Sequence, residues 1–318
     1  MPPILYVSRL LPDPVMTAIR ARFHLTAEPP SHPPTREALL AGLRQAQAAI
    51  CTLTERIDRE TLKEAPQLTV IANYAVGYNN IDVEAAKARG IVVTNTPDVL
   101  TEATADLTWA LVLAAARRVP EGHHLVQQGN WKGWEPTQLL GAEVYGKTLC
   151  IVCMGRIGRA VARRAAGFDM PILYAGTPLA DPPDAARAWR CVPLPDLLAG
   201  SDVVSLHVPL SEKTRHLIGA AELTRMKPTA FLINTSRGPV VDEAALAQAL
   251  REGRLAGAGL DVYEQEPGVH PGLRGVPQVV TLPHLGSATL TVRVNMGLLC
   301  VENVTAVLEG RPAPNRVG

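Results

Sequence analysis

The chain has 318 residues, of which 47% are hydrophobic and 19% charged, and its formal net charge is +1. That is enough apolar residue for a sizeable core and enough length for two domains. The near-neutral balance, without a polybasic run, argues against a nucleic-acid partner or an anionic membrane surface.

The opening stretch, MPPILYVSRLLPDP, has no basic region followed by an apolar run and a small-residue cleavage site, so no export signal is expected. The first half of the chain alternates short apolar runs with amphipathic segments. Strands are predicted at 4–7, 48–53, 68–74 and 91–95, and helices at 13–22, 35–46, 58–65 and 82–89. The run EPPSHPP (28–34) reads as a proline-rich loop. A long helix is predicted from Thr101 to Arg118, ending near Pro120. Its apolar run LTWALVLAAA (107–116) is too short to span a bilayer, so no membrane association is expected.

A second series of strands follows at 148–153, 171–175, 202–208, 230–235, 257–262 and 278–282. Helices fit 156–167, 193–199, 220–226 and 242–252, the last with Asp242 near its start and Gly253 just past its end. A final helix spans about 289–309. Apolar strands without alternation are covered on both faces, and two successive β-α-β series imply two open parallel sheets. The fold class is therefore α/β, in two domains.

Cys51, Cys150, Cys153, Cys191 and Cys300 are odd in number and widely scattered, the usage of reduced core thiols in a cytoplasmic protein. Cys150 and Cys153 lie three apart in a strand-like run and would face opposite sides, against a disulfide or metal pair. No metal site is expected.

The stretch TLCIVCMGRIGRA (148–160) has the form of a strand handing over to a nucleotide-binding helix. Gly155 and Gly158 supply the second and third glycines of G-x-G-x-x-G, where backbone approaches phosphate and helix packs on strand. Cys153 replaces the first, which makes the tight turn. If that turn needs a glycine-only backbone angle, the cysteine costs roughly 1–3 kcal/mol. About twenty residues on, in ILYAGTPLADPP (172–183), Gly176 stands where an acidic residue would select NAD(H) over NADP(H). No arginine follows directly to hold a 2′-phosphate, so the choice between NAD(H) and NADP(H) stays open.

Several longer stretches resemble the D-2-hydroxyacid dehydrogenase family: NYAVGYNNID (73–82), TEATADLTWALVLAAARR (101–118), PLSEKTRHLIG (209–219), INTSRGPVVDEAALAQALREGRLAGAGLDVYEQEP (233–267) and TLPHLGSAT (281–289). GNWKGWEP (129–136) is most similar to the glyoxylate/hydroxypyruvate reductase branch. The resemblance covers almost the whole chain, and it implies two Rossmann-like domains with open parallel sheets and a cleft between them: a discontinuous substrate-binding domain of residues 1–98 with 287–318, and a dinucleotide-binding domain of residues 99–286. It implies an oxidoreductase that reduces a small-molecule 2-keto acid, with hydride from NAD(H) or NADP(H). It also implies that Arg237 binds the substrate carboxylate and carbonyl, and that Glu266 and His284 form the acid–base pair. By the same resemblance, Val76 and Gly77 offer backbone N–H groups to the carboxylate, and Asp261 contacts the nicotinamide carboxamide. Thr104 lies near the cofactor phosphates, and Gly155, Arg156, Ile157, Gly158, Gly176 and Pro209 line the cofactor. Trp134 matches a tryptophan that reaches the neighbouring subunit's site, and the helical segment 101–145 builds a homodimer interface.

These residue types suit the chemistry independently. An arginine fork can hold two oxygens that a lysine cannot hold in the same geometry. Histidine suits proton donation near neutral pH, and an adjacent carboxylate stabilises its charged form. Departures from the family pattern are Cys153, Cys150 in another position usually filled by glycine, Asn79 where aspartate is common, and the arginine missing after YAGTP. Two other readings remain: a dehydrogenase of another D-2-hydroxy acid, such as lactate or 3-phosphoglycerate, and a non-catalytic NAD(H)-sensing protein on the same fold.

Overall fold

The computed structural model describes residues 2–179 and 189–318. The chain divides into two units, Met1–Leu100 with Ser287–Gly318, and Thr101–Gly286. The first begins β1 (Ile4–Val7), α1 (Asp13–Arg20), β2 (His24–Leu25), α2 (Arg36–Gln45) and β3 (Ala48–Cys51). It continues α3 (Arg59–Lys63), β4 (Val70–Asn73), α4 (Val83–Ala88) and β5 (Val92–Thr94). The second unit opens with α5 (Thr101–Ala116), α6 (Val119–Gln127), β6 (Leu149–Val152), α7 (Arg156–Ala165) and β7 (Ile172–Ala175). After β8 (Arg190–Cys191) come α8 (Leu194–Gly200), β9 (Val203–Leu206), α9 (Ala220–Arg225), β10 (Phe231–Asn234), α10 (Glu243–Arg251), β11 (Gly257–Leu260) and β12 (Val279–Thr281). The chain then returns to the first unit as α11 (Leu290–Leu308) and β13 (Arg316–Val317).

The first unit's sheet has the order β13-β5-β4-β3-β1-β2. Tyr6, Ala49, Cys51, Ile71 and Val93 pack on one face with Leu39, Leu43, Leu62 and Ala86 of the helices. On the other side α11 lies against β3, β4, β5 and α1. By length and composition α11 is apolar enough to cross a membrane, but it buries Met296, Cys300, Val301 and Val304 as a core helix does.

The second unit's sheet, β12-β11-β10-β9-β6-β7-β8, is parallel throughout its described pairs. Alternate side chains serve opposite faces, as a two-residue period requires. Cys150, Val152, Val204, Leu206, Leu232 and Leu260 join one core with Leu197, Leu223 and Leu246. Leu149, Ile151, Val203, Phe231 and Ile233 join the other with Leu111, Val112 and Val161. The strand order reverses at β6, which has β7 on one side and β9 on the other. In open parallel sheets, ligands bind beyond the strand ends at such a reversal.

The structure differs from the sequence reading in four places. β2, β8 and β13 are unforeseen two-residue edge strands, and β13 runs antiparallel to β5, so the first sheet is not wholly parallel. Pro120 does not end a helix. It begins α6, after a left-handed Arg118 with φ 55°. A proline at the first helical turn loses no hydrogen bond and is already set to the helical φ. Residues 128–145 contain no helix. Cys191 is exposed and Cys153 partly so, which leaves Cys51, Cys150 and Cys300 as the core thiols.

Candidate active site

Three loops of the second unit, each following a strand, bring the expected trio together. Beyond β10, the buried Asn234 accepts from the backbone N–H and the hydroxyl of Ser236 at 3.0 and 2.8 Å, and donates to the Arg237 carbonyl at 3.0 Å. The turn that carries Arg237 is thus shaped by the last side chain of the strand. At the next residue a side-chain carbon would run into the backbone of Tyr263 and Glu264, so only glycine lets the two loops approach. Gly238 therefore seats the Arg237 loop against the loop that carries Glu266.

That second loop is held from below. The buried carboxylate of Glu243 accepts the N–H groups of Glu264 and His270 at 2.7 and 3.1 Å. The Tyr263 hydroxyl donates to the carbonyls of Leu260 and Leu282 at 3.2 and 2.8 Å. Glu266 accepts the Tyr263 N–H on Oε1 at 3.1 Å, and its Oε2 lies 2.9 Å from His284 Nδ1. Burial opposes the charge on Glu266. The hydrogen bond and charge of His284, the Tyr263 N–H and the Arg237 charge together outweigh it and hold the carboxyl below the usual range. Burial draws the Arg237 guanidinium below its usual value, and the charge of Glu266 partly offsets this.

His284 itself has φ 57°, a left-handed conformation that costs a non-glycine residue energy. Asp261 holds it there. Its carbonyl accepts the His284 N–H at 2.9 Å, and its carboxylate accepts the N–H groups of Leu285 and Gly286 at 2.6 and 2.8 Å. Asp261 is 1% exposed, and burial pushes its carboxyl up, against those two backbone hydrogen bonds. Thr104, in the first turn of α5, is buried and donates its hydroxyl to the Gly286 carbonyl at 3.0 Å. The structure thus places both Asp261 and Thr104 in the support of the His284 loop, a function not anticipated for either.

The glycine turn follows β6 at the strand reversal. Cys153 has φ 76°, so the position does demand the left-handed backbone that glycine adopts freely. A side-chain carbon at Gly158 would strike the Cys153 carbonyl, which explains the third glycine. Gly155 is the N-cap of α7 and supplies no side-chain cap. The first-turn N–H groups around Arg156, Ile157 and Gly158, with the positive end of the helix dipole, therefore suit a pyrophosphate. These residues fit a dinucleotide despite Cys153. Gly176, at φ 129°, lies directly beside Cys153. His207 follows β9 and donates its backbone N–H to the Val152 carbonyl at 3.0 Å, next to the turn. Burial pushes its imidazole down to about 3. Pro209 accepts the Thr214 hydroxyl at 2.6 Å. The last residues of ILYAGTPLADPP, which bear on phosphate preference, lie outside the described residues.

In the first unit, Val76 and Gly77 form a partly buried turn after β4. Their carbonyls accept from the side-chain amides of Asn95 and Asn73, two residues that the sequence alone does not mark. Asn79 beside them is exposed. Trp134 is 82% exposed, in the irregular segment after α6.

The family described as D-isomer specific 2-hydroxyacid dehydrogenase, NAD binding domain, matches residues 109–286. A glyoxylate reductase of Korarchaeum cryptofilum is 48% identical over 320 residues, covering 100% of this chain and 96% of that protein. The crystal structure of the TT0316 protein from Thermus thermophilus has a TM-score of 0.92 at 45% identity, covering 99% of this chain and 100% of the other. An NADPH-dependent glyoxylate/hydroxypyruvate reductase from Sinorhizobium meliloti, solved with NADP and malonate, has a TM-score of 0.88 at 33% identity, covering 100% and 97%. With a paired histidine and carboxylate beside a partly buried arginine, and with these likenesses running from end to end, the chain belongs to the D-2-hydroxyacid dehydrogenase family, in its glyoxylate reductase branch.

Proposed function

We propose that this chain reduces glyoxylate or hydroxypyruvate to the corresponding 2-hydroxy acid, of D configuration where the product is chiral. The observation that carries this is the 2.9 Å contact between His284 Nδ1 and Glu266 Oε2, with Arg237 close enough for its charge to act on the same carboxylate. Arg237 holds the substrate carboxylate and carbonyl oxygen in its fork. The backbone N–H groups of the Val76–Gly77 turn also receive the carboxylate. When bound, NADH or NADPH supplies the hydride, with its pyrophosphate at the first turn of α7. As negative charge grows on the carbonyl oxygen, His284 delivers a proton from Nε2, and Glu266 stabilises the imidazolium through Nδ1.

The working form is a cytoplasmic homodimer. Val126, Trp131, Trp134, Leu140 and Tyr145 support that reading, since they expose large apolar surfaces along α6 and the segment after it. Exposed apolar residues concentrated in one segment suit a partner subunit.

The test is a spectrophotometric panel of glyoxylate, hydroxypyruvate, pyruvate and phosphohydroxypyruvate with each reduced cofactor. Preference for the first two supports the proposal. Preference for pyruvate or the phosphorylated acid assigns a different D-2-hydroxy acid. Cofactor binding without oxidation by any of them makes the chain a sensor.

A further inference from the structure

We infer that Asn95 and Asn73 are positioning residues that aim the backbone N–H groups of Gly77 and Tyr78 at the substrate carboxylate. The inference deepens the carboxylate-binding reading above and rests on it.

Three successive carbonyls of the turn are each held by a donor. The Ala75 carbonyl accepts the Thr96 N–H at 3.0 Å, the Val76 carbonyl accepts Asn95 Nδ2 at 2.7 Å, and the Gly77 carbonyl accepts Asn73 Nδ2 at 2.8 Å. A trans peptide is planar, with its C=O and the following N–H on opposite edges. Fixing the Val76 carbonyl on Asn95 therefore turns the Gly77 N–H the other way, and fixing the Gly77 carbonyl on Asn73 does the same for Tyr78. Among the described residues no acceptor meets the N–H groups of Val76, Gly77 or Tyr78. The turn is partly open to solvent at Val76 and Gly77 and exposed at Tyr78. Oriented backbone N–H groups of this kind form an anion-binding concavity.

The two amides are themselves fixed. Asn73 is 0% exposed, and its Oδ1 accepts Asn80 Nδ2 at 3.3 Å. The Asn80 amide also reaches the Thr52 and Glu55 carbonyls, each at 3.1 Å. The Asn95 backbone N–H is tied to the Asn315 carbonyl at 3.2 Å, where β13 joins the sheet. Neither asparagine is proposed to touch substrate. Both act through peptide units whose carbonyls they hold.

Asn95→Asp keeps the shape and turns the donor into an acceptor that repels the Val76 carbonyl. Asn95→Ala removes the donor. For both, KM for glyoxylate should rise roughly ten- to a hundredfold, the worth of a hydrogen bond to a charged group, with kcat and the cofactor dissociation constant little changed. An unchanged KM, or a loss confined to kcat, overturns the inference. If the variants do not fold, or if the wild type reduces neither keto acid, a measurement on wild-type protein decides. Titration of the cofactor-saturated chain with oxamate should shift the ¹⁵N-labelled amide resonances of Gly77 and Tyr78, and no movement there overturns the inference. Wild-type turnover tests the proposed function separately, so failure of one is distinguishable from failure of the other.

Discussion

Glu266 and His284, eighteen residues apart, meet through Oε2 and Nδ1 at 2.9 Å. The other carboxylate oxygen of Glu266 accepts the Tyr263 N–H, so the carboxylate is anchored at both ends. With Nδ1 engaged, Nε2 is left as the ring atom that can meet a substrate. The contact therefore fixes the orientation of the imidazole.

His284→Ala removes the proposed proton donor. The rate of keto-acid reduction should fall roughly 10²- to 10⁴-fold, the usual worth of a positioned acid–base group, with cofactor binding retained. Stopped-flow reduction and cofactor fluorescence measure the two separately. Turnover close to wild type would place proton donation elsewhere.

Glu266 makes a pH-dependent contribution to stability. Its folded pKa lies below the ordinary 4.5, because the partners that favour its charge outweigh burial. A carboxyl lowered on folding adds stability above its unfolded pKa, and loses it as pH falls through the folded value. The thermal stability gap between wild type and Glu266→Gln should be widest above pH 4.5 and close in stronger acid. A gap that stays constant across that range would contradict an ionised Glu266 carboxylate in the folded state.

Arg237→Lys keeps the charge and loses the planar fork. The kcat/KM for glyoxylate should drop roughly 10- to 100-fold, since the proposed bidentate hydrogen bond to substrate would become a single contact. A mild effect in steady-state assays would mean that the fork geometry is not used.

Asp261→Ala leaves the N–H groups of Leu285 and Gly286 without their acceptor. The Gly286 N–H is buried, and a buried donor left unpaired costs about 1–3 kcal/mol, so the denaturation midpoint should fall below that of wild type. The rate should fall as well, because the loop that carries His284 loses both carboxylate bonds to Leu285 and Gly286 and keeps only the Asp261 carbonyl contact. Full activity with reduced stability would separate Asp261 from the catalytic loop.

Cys153→Gly relieves a side chain at φ 76°. The left-handed penalty of about 1–2 kcal/mol exceeds the added chain entropy of glycine, so unfolding should become harder by up to about 1 kcal/mol. Urea denaturation measures it. Lower stability would mean that packing of the thiol outweighs the backbone strain.

Much of the fold was legible because its signals are local. Asp242 caps α10 by accepting the Ala245 N–H at 2.9 Å, and Gly253 leaves that helix at φ 67°, both as their side chains dictate. The run AFLINT was readable as strand because Phe231, Leu232, Ile233 and Asn234 are buried on both faces of a parallel sheet. β2, β8 and β13 were not readable, since two residues carry no periodicity and become strands only through pairing with a neighbour.

The sequence alone determined which chemical groups are available: a guanidinium in NTSRG, a carboxyl in YEQEP, an imidazole in PHLGS, and a glycine turn with one glycine missing. Tertiary structure alone decided how they are used. It set the left-handed angle of Cys153, turned Asp261 and Thr104 to support the His284 loop, and placed Asn73 and Asn95 behind the Val76–Gly77 turn. The reason is physical. A residue type fixes what a group can donate, accept or ionise, but the partner that aims it comes from whichever distant strand end the packed sheet brings alongside.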